Sequence, residues 1–332
     1  MNIVLLSGGT GKRLWPLSND IRSKQFIKLF KNADGQYESM VQRIYKQILD
    51  VDSDSKITIA TSKKQVSFIR KQLGDEVGIS VEPCRRDTFP AIILASFYLK
   101  DKQGVSEDEA VVVCPVDPYV EKEYFEALKK LGQQAKSGEA NIILMGIEPT
   151  YPCEKYGYII PTSSDEVSGV DTFKEKPDVL TAKEYITQGA LWNGGVFAYK
   201  LGYVIEIAHK MIDFTDYDDL YSKYETLKGI SFDYAVVEKE ENLQVMRFSG
   251  LWKDIGTWDS LTETMDEECI GNAVINDTCE NVNVINELDI PVLCMGLKDV
   301  IVSVTENGIL VSDKKQSINI KPYVDMFEQN EN

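Results

Sequence analysis

The chain has 332 residues, of which 43% are hydrophobic and 27% charged, ordinary proportions for a globular protein with room for one domain of about 250 residues and a smaller one. Its 36 basic and 53 acidic residues leave a net charge of −17, which excludes nucleic acid polymers and anionic membranes as expected partners and requires any polyanionic ligand to be small and held in a local basic pocket. No apolar run approaches the roughly 20 residues of a membrane span, and the opening MNIVLLSGG lacks the basic n-region of a secretory signal, so a cytoplasmic location is expected.

The apolar run Asn2 to Leu6 stops at glycines, the pattern of a buried strand entering a turn. ESMVQRIYKQIL spaces Met40, Val41, Ile44 and Ile48 as a helix does, and is followed by the strand KITIA, the helix KKQVSFIRKQL and the short strand ISVEP. FPAIILASFYLK reads as a helix with Pro90 in its first turn. Then come the strand EAVVVCPVD, the helix EYFEALKKLGQQA and the strand NIILMGI. This alternation to about residue 147 predicts an α/β fold with a mostly parallel sheet covered on both faces. Beyond it, YGYIIP, VDTFKEKP, WNGGVFAYK and LQVMRF read as strands and residues 179–188, 202–212 and 232–240 as helices, the look of a lobe added to the core. From about residue 270, NVNVI, IPVLCMG, DVIVSVT, GILVSD and SINIKP predict a small all-β appendage. The six cysteines show no C-x-x-C pair, which indicates reduced, mostly buried thiols rather than zinc or a disulfide framework. His209, the single histidine, falls in a helical stretch, so histidine-centred catalysis is not expected.

SGGTGKR is the first stretch that carries chemistry. A glycine turn between a strand and a later helix lets backbone N–H groups approach a phosphate. A Walker A loop would need glycine where Leu6 stands and Ser or Thr where Arg13 stands, and the dinucleotide fingerprint from Gly9 meets Leu14 in place of its last small residue. What remains is a turn with Arg13 just past it and Lys24 in SKQF, either a polyphosphate clamp or a tight turn with two solvated cations.

LSGGTGKRLWPLS followed by KQF resembles the N-terminal signature of the sugar-1-phosphate nucleotidyltransferases, in particular their mannose-1-phosphate guanylyltransferase branch. The resemblance continues in order through VEPCRRDTFPAI, VVVCPVD, YGYI, FKEKP, LWNGGVF, FDYAVVEK and WKDIGTWDSL, over nearly all of residues 1–262, and the β-rich tail is similar to the family's C-terminal segment. It implies a Rossmann-like nucleotidyltransferase domain over residues 1–265 and a small β-rich domain over 266–332. The implied reaction is attack of a sugar-phosphate oxygen on the α-phosphorus of a nucleoside triphosphate, GTP and mannose 1-phosphate being favoured, with Mg²⁺ as cofactor. Two anions have to meet, so the work is charge neutralisation and alignment.

By the same resemblance Arg13 and Lys24 sit on the triphosphate, and Asp117 and Asp254 hold the metal. Asp117 closes a strand, where α/β sheets place their ligand crevices, and Asp254 lies between two tryptophans that would wall off the site; alone, either aspartate would read as a cap or turn residue. Leu6, Ser7 and Gly8 would contact base and ribose by backbone, with Gly9, Thr10 and Gly11 completing the turn. Glu82 offers a carboxylate to the N1–H and N2–H donors of guanine, or else pairs with a neighbouring arginine. Thr88 is expected to cap the next helix while facing the nucleotide. Lys176 and Glu175 are matched to the sugar phosphate and a sugar hydroxyl, and Gly157 and Asn193 to further sugar contacts; a solvated hairpin and a plain turn are their bland alternatives.

The chain departs from the family pattern in having Ser23 where proline usually precedes the lysine, Asp87-Thr88-Phe89 for Asn-Thr-Ala, Val116-Asp117-Pro118 for Ser-Asp-His, and Gly194 for serine. Asp87, Phe89 and Pro118 line regions that shape the base and sugar pockets in the family, which leaves glucose or manno-heptose 1-phosphate, or another nucleotide, as alternative substrates. A regulatory subunit that binds a nucleotide sugar without turnover is a third reading, weighed against by the presence of both aspartates and both cations. The tail is expected either to support self-association as a homodimer or to pack on the catalytic part.

Overall fold

Ile3, Val4 and Leu5 of β1 (Asn2–Ser7) are all completely buried, and a strand with no polar face has to lie inside a sheet covered on both sides. The computed structural model, which describes residues 1–9 and 11–330, builds such a sheet from nine strands. After β1 come the ribbon β2 (Lys28–Lys31) and β3 (Tyr37–Ser39), then α1 (Met40–Val51), β4 (Lys56–Ser62), α2 (Val66–Leu73), β5 (Gly78–Glu82), α3 (Thr88–Phe97), β6 (Ala110–Pro115), β7 (Pro118–Val120), α4 (Lys122–Ser137) and β8 (Ile142–Ile147). The next stretch gives β9 (Tyr158–Pro161), β10 (Val167–Lys174), α5 (Val179–Thr187), β11 (Leu191–Lys200), α6 (Leu201–Met211), α7 (Tyr217–Lys223), α8 (Phe232–Ala235), β12 (Leu243–Phe248), β13 (Trp252–Asp254) and α9 (Trp258–Thr262).

The order across the large sheet is β5-β4-β1-β6-β11-β8-β12-β10-β9. β5, β4, β1 and β6 run parallel, as the early alternation predicts. β11 enters antiparallel between β6 and β8, and β12 lies parallel to β8. The expected added lobe is therefore a continuation of the same sheet. The reason is that β11 is buried along both faces, so it needs a central position.

Side chains alternate across the sheet into two cores. Ile3, Leu5, Val112 and Cys114 face α1 and α4, while Val4, Val111 and Val113 face α3 and α6. The helices begin where the sequence supplies caps: Ser39 and Gln42 form a reciprocal capping box on α1, a feature whose loss costs about 1 kcal/mol. The expected helix over 232–240 breaks after α8, at Val236 with φ −124° and ψ −60°, and continues as a 3₁₀ turn over Val237–Lys239. α7, capped by Asp216, was not foreseen by periodicity.

The remaining residues form β14 (Cys269–Ile270), β15 (Ala273–Ile275), β16 (Asn283–Asn286), β17 (Val292–Cys294), β18 (Val300–Thr305) and β19 (Gly308–Asp313), in a four-stranded sheet β14-β16-β18-β19 and a pair β15-β17. Val282, Val284, Cys294, Val302 and Val304 give this region a small core of its own, whereas Ile285 and Ile301 join the large one. It is not all-β: SINIKP is a 3₁₀ turn leading into α10 (Lys321–Asn330). Ile320 and Val324 are buried four residues apart while Ile318 is exposed, so the alternation that suggests a strand is not the spacing that gets buried. All six cysteines are free, three buried and three half-buried. His209 packs against Phe97 and Phe214. Among the described residues no helix is long and apolar enough to cross a membrane.

Candidate active site

β1 delivers the chain into the glycine turn at the C-terminal end of the parallel strands, and neighbouring polar side chains fix its path. The Ser7 hydroxyl accepts from Gln25 Nε2 at 3.0 Å. The Gly9 carbonyl accepts from Ser23 Oγ at 3.2 Å and from Arg85 Nη2 at 2.7 Å, and Ser23 Oγ accepts in turn from Gln65 Nε2 at 2.6 Å. The Ser18 hydroxyl donates to the Gly11 carbonyl, and Gly11, at φ 63°, heads the 3₁₀ turn Lys12–Leu14 that carries Arg13.

Lys24 stands at the start of a second 3₁₀ turn. Its ammonium donates to the Ile255 carbonyl at 2.7 Å and lies 2.9 Å from Asp117 Oδ2 and 3.7 Å from Asp254 Oδ1. The two aspartates meet because β7 and β13 pair antiparallel, with Asp254 opposite Pro118. Burial, the largest influence on Lys24, lowers its pKa; Asp117 and Asp254 more than reverse that, and the net shift is upward. Burial pushes the Asp254 carboxyl up, with Lys24 opposing and Asp117 adding to the rise. Arg13 is exposed, makes no hydrogen bond or ion pair among the described residues, and acts on Lys24 and Asp254 through its charge.

A cavity of about 350 Å³ opens beside this cluster, lined by Leu6, Ser7, Gly8, Gly9, Glu82, Thr88, Asp117 and Asp233 among others. Glu82 accepts a hydrogen bond from the Tyr224 hydroxyl at 2.8 Å. Burial raises its pKa, and Tyr224 and Arg85 hold the rise back. The carboxylate's other oxygen accepts no hydrogen bond among the described residues. Asp233 links the cavity to a second polar group: Asn193 Nδ2 donates to Asp233 Oδ1 at 2.6 Å, and the Asn193 N–H donates to the Gly157 carbonyl at 2.8 Å. Glu175, buried, holds Lys176 Nζ at 2.6 Å. A Cβ on Gly157 would come within 2.5 Å of Glu175 Oε2 and 3.1 Å of the Phe173 ring, so a larger residue there would push this carboxylate from its place. Burial and the nearby Glu175 raise the Asp233 carboxyl to about 6.

The arrangement brings cations, a pair of carboxylates and a cavity with polar groups at several points onto the C-terminal ends of parallel strands, and a family comparison decides what that means. The model of the family described as Nucleotidyl transferase matches residues 2–269. The chain belongs to the nucleotidyl transferase family. It is 31% identical to a mannose-1-phosphate guanylyltransferase of Escherichia coli, over 97% of this chain and 74% of that one. It is 27% identical to the mannose-1-phosphate guanylyltransferase RfbM of Salmonella typhimurium, over 99% and 72%. Among solved structures it is similar to one described as a mannose-1-phosphate geranyltransferase, from Thermus thermophilus, with a TM-score of 0.80, 28% identity and 98% of each chain covered.

In this nucleotidyltransferase the residues picked out by sequence fall into two connected groups. Leu6, Ser7, Gly8, Gly9, Glu82, Thr88 and Asp117 line the cavity, with Lys24 and Asp254 beside it. Gly157, Glu175, Lys176 and Asn193 gather around Asp233. Gly11 and Arg13 follow in the loop, and Thr10 lies outside the described residues. Two expectations are corrected. Thr88 is not a cap: Asp87, at φ 69°, caps α3 by accepting from the Thr88 N–H, and the Thr88 hydroxyl accepts from the Phe232 N–H at 2.8 Å. Trp258 does not wall the site but is fully buried in the core, while Trp252 packs on Tyr156. Glu175 is buried, which goes against the solvated hairpin that stood as its bland alternative.

Sequence reasoning missed Asp233, Gln65, Gln25 and Tyr224. Asp233 sits in FDYAVVEK, a motif noted with no role given to its carboxylate. Gln25 and Gln65 carry no signal, since the site partners they donate to, Ser7 on β1 and Ser23 in the opening loop, lie far off in sequence.

Proposed function

We propose that this nucleotidyltransferase joins GTP and mannose 1-phosphate into GDP-mannose and pyrophosphate with Mg²⁺, catalysis residing in residues 1–265. The observation that carries the reading is the convergence of Lys24, Asp117 and Asp254 at the mouth of the cavity. A sugar-phosphate oxygen attacks the α-phosphorus; the new O–P bond forms as the bond to the β-phosphate oxygen breaks and pyrophosphate departs. The phosphate monoester is already anionic near neutral pH, so no base has to take a proton. Arg13 and Lys24 offset charge on the α-phosphate and leaving group. Asp117 and Asp254, half-exposed and converging on one cation, are the donor set a hard divalent ion takes together with phosphate oxygens and water. Bound there, the ion would neutralise phosphate charge and align the reacting groups.

Guanine is favoured by Glu82, a residue of the cavity lining with one oxygen that accepts no hydrogen bond among the described residues, which suits donors on the base edge. Leu6, Ser7 and Gly8 would meet base and ribose by backbone. Mannose 1-phosphate is favoured by the names of the E. coli and S. typhimurium relatives, with Lys176 on its phosphate and Glu175, Asn193 and the Gly157 backbone on its hydroxyls. The test is pyrophosphate release across GTP, ATP, CTP, UTP and dTTP with mannose, glucose and manno-heptose 1-phosphates. GTP with mannose 1-phosphate is expected to give the highest kcat/KM; a tenfold preference for any other pair would replace the assignment.

A further inference from the structure

The opening loop is held from outside the catalytic sheet. Asp325 of α10 pairs with Lys12 at 2.8 Å, and the Phe327 ring lies 5.3 Å from that of Trp15. Trp15 also fills the space beside Gly308: a Cβ there would come within 2.6 Å of the indole. Thr305 Oγ1 and Asn307 Nδ2 both donate to the Pro16 carbonyl, at 3.2 and 3.3 Å. Glu287 grips Arg22 with both carboxylate oxygens, each at 2.7 Å. Residues 12–22 are thus fastened at four places by side chains between 287 and 327.

This loop has little regular structure of its own beyond the 3₁₀ turns Lys12–Leu14 and Lys24–Phe26, yet it has to present Arg13 and Lys24 in fixed positions. Ordering an otherwise free segment costs conformational entropy at every residue, and a segment ordered before the ligand arrives spares binding that cost. We propose that the C-terminal region is a strap for the triphosphate loop, with Asp325, Phe327, Asn307 and Glu287 as positioning residues that set it for nucleotide. The inference rests on the reading that this loop receives the triphosphate. It separates the two substrates: Glu175, Lys176 and Asn193 lie on or just after β10 and β11, and among the described residues the side-chain hydrogen bonds and ion pairs of Asp325, Asn307 and Glu287 go to the opening loop instead.

The test uses the full chain carrying Asp325→Asn together with Phe327→Ala. KM for the triphosphate should rise about tenfold, while kcat and KM for the sugar phosphate change less than threefold. Amide exchange in residues 11–24 should speed up while β1, β6 and β11 keep their protection. Asp325→Glu should restore most of the nucleotide affinity, and Arg22→Glu with Glu287→Arg should recover what either change alone loses. Unchanged exchange in the loop overturns the inference whatever the kinetics. Faster exchange with an unchanged KM, or a lower kcat at constant KM with a lower Tm, leaves only a structural role and overturns it as well. A wild-type protein that transfers no nucleotide refutes the proposed function instead, and loop exchange with the triphosphate Kd then decides the strap.

Discussion

Replacing Lys24 by glutamine removes the ammonium that stands between Asp117 and Asp254 and leaves an amide able to donate to the Ile255 carbonyl. At an effective dielectric of about 20, unit charges separated by 2.9 and 3.7 Å attract by roughly 5 kcal/mol each. Each carboxylate keeps 37% of its side-chain surface in water, and screening with the desolvation of Lys24 offsets most of that, leaving a net loss of about 2 kcal/mol. With an unfolding entropy near 2.1 cal/mol/K per residue, a chain of 332 residues should lose about 3 °C in Tm. Calorimetry at pH 8 and low salt measures this, and titration with Mg²⁺ adds the decisive comparison. A divalent ion takes the place of the lost charge, so at tenfold over its Kd it should return about 1.4 kcal/mol to the variant and less to the wild type, where Lys24 competes for the same carboxylates. An unchanged Tm for Lys24→Gln, or an equal Mg²⁺ shift in both proteins, refutes the claim that ammonium and metal share one seat. The same holds if the shift survives in Asp117→Asn.

Asp233→Asn should stabilise the protein at pH 7 and have almost no effect near pH 4. The folded carboxyl, at about 6 against an ordinary 3.8, keeps its proton to higher pH than the unfolded one, so wild-type stability falls as pH rises between those values, by about 3 kcal/mol at most. Tm difference against pH is the measurement, and a difference independent of pH between 4 and 7 counts against the shift. Tyr224→Phe removes the donor that holds Glu82. A hydrogen bond to a charged group is worth about 1.5–3 kcal/mol, so the preference for GTP over ATP in kcat/KM should drop about tenfold; a ratio within twofold of wild type would free Glu82 from any dependence on Tyr224.

The parts of the fold legible in sequence are those where local periodicity and tertiary burial agree. NIVLL, KITIA and EAVVVCPVD each carry a full apolar run to a turn, and they become the neighbouring parallel strands β1, β4 and β6. Asp117 was legible for the same reason, as the residue at which such a run ends. What could not be read is what a distant partner decides. WNGGVFAYK announces a strand but not that it will run antiparallel between β6 and β8. WKDIG gives no sign that Asp254 will lie opposite Pro118, and Ile318 and Ile320 imitate a strand in what packs as a helix. Charge is the least legible of all: Lys24 reads as a phosphate ligand, and only the structure puts it between the two carboxylates.

That placement bears on how the site works before substrate arrives. Two carboxylates aimed at one point repel, and burial already raises the Asp254 carboxyl; a cation between them opposes that rise. Lys24 supplies that cation, while its own pKa stays above the usual lysine value through the same contacts. On the proposed reading, Asp117 and Asp254 would be the residues to hold a divalent ion that came with the triphosphate, and the ammonium of Lys24 would then be free to pair with phosphate. Such an exchange would keep a cation beside the carboxylate pair throughout, with Lys24 as the side chain that changes partner.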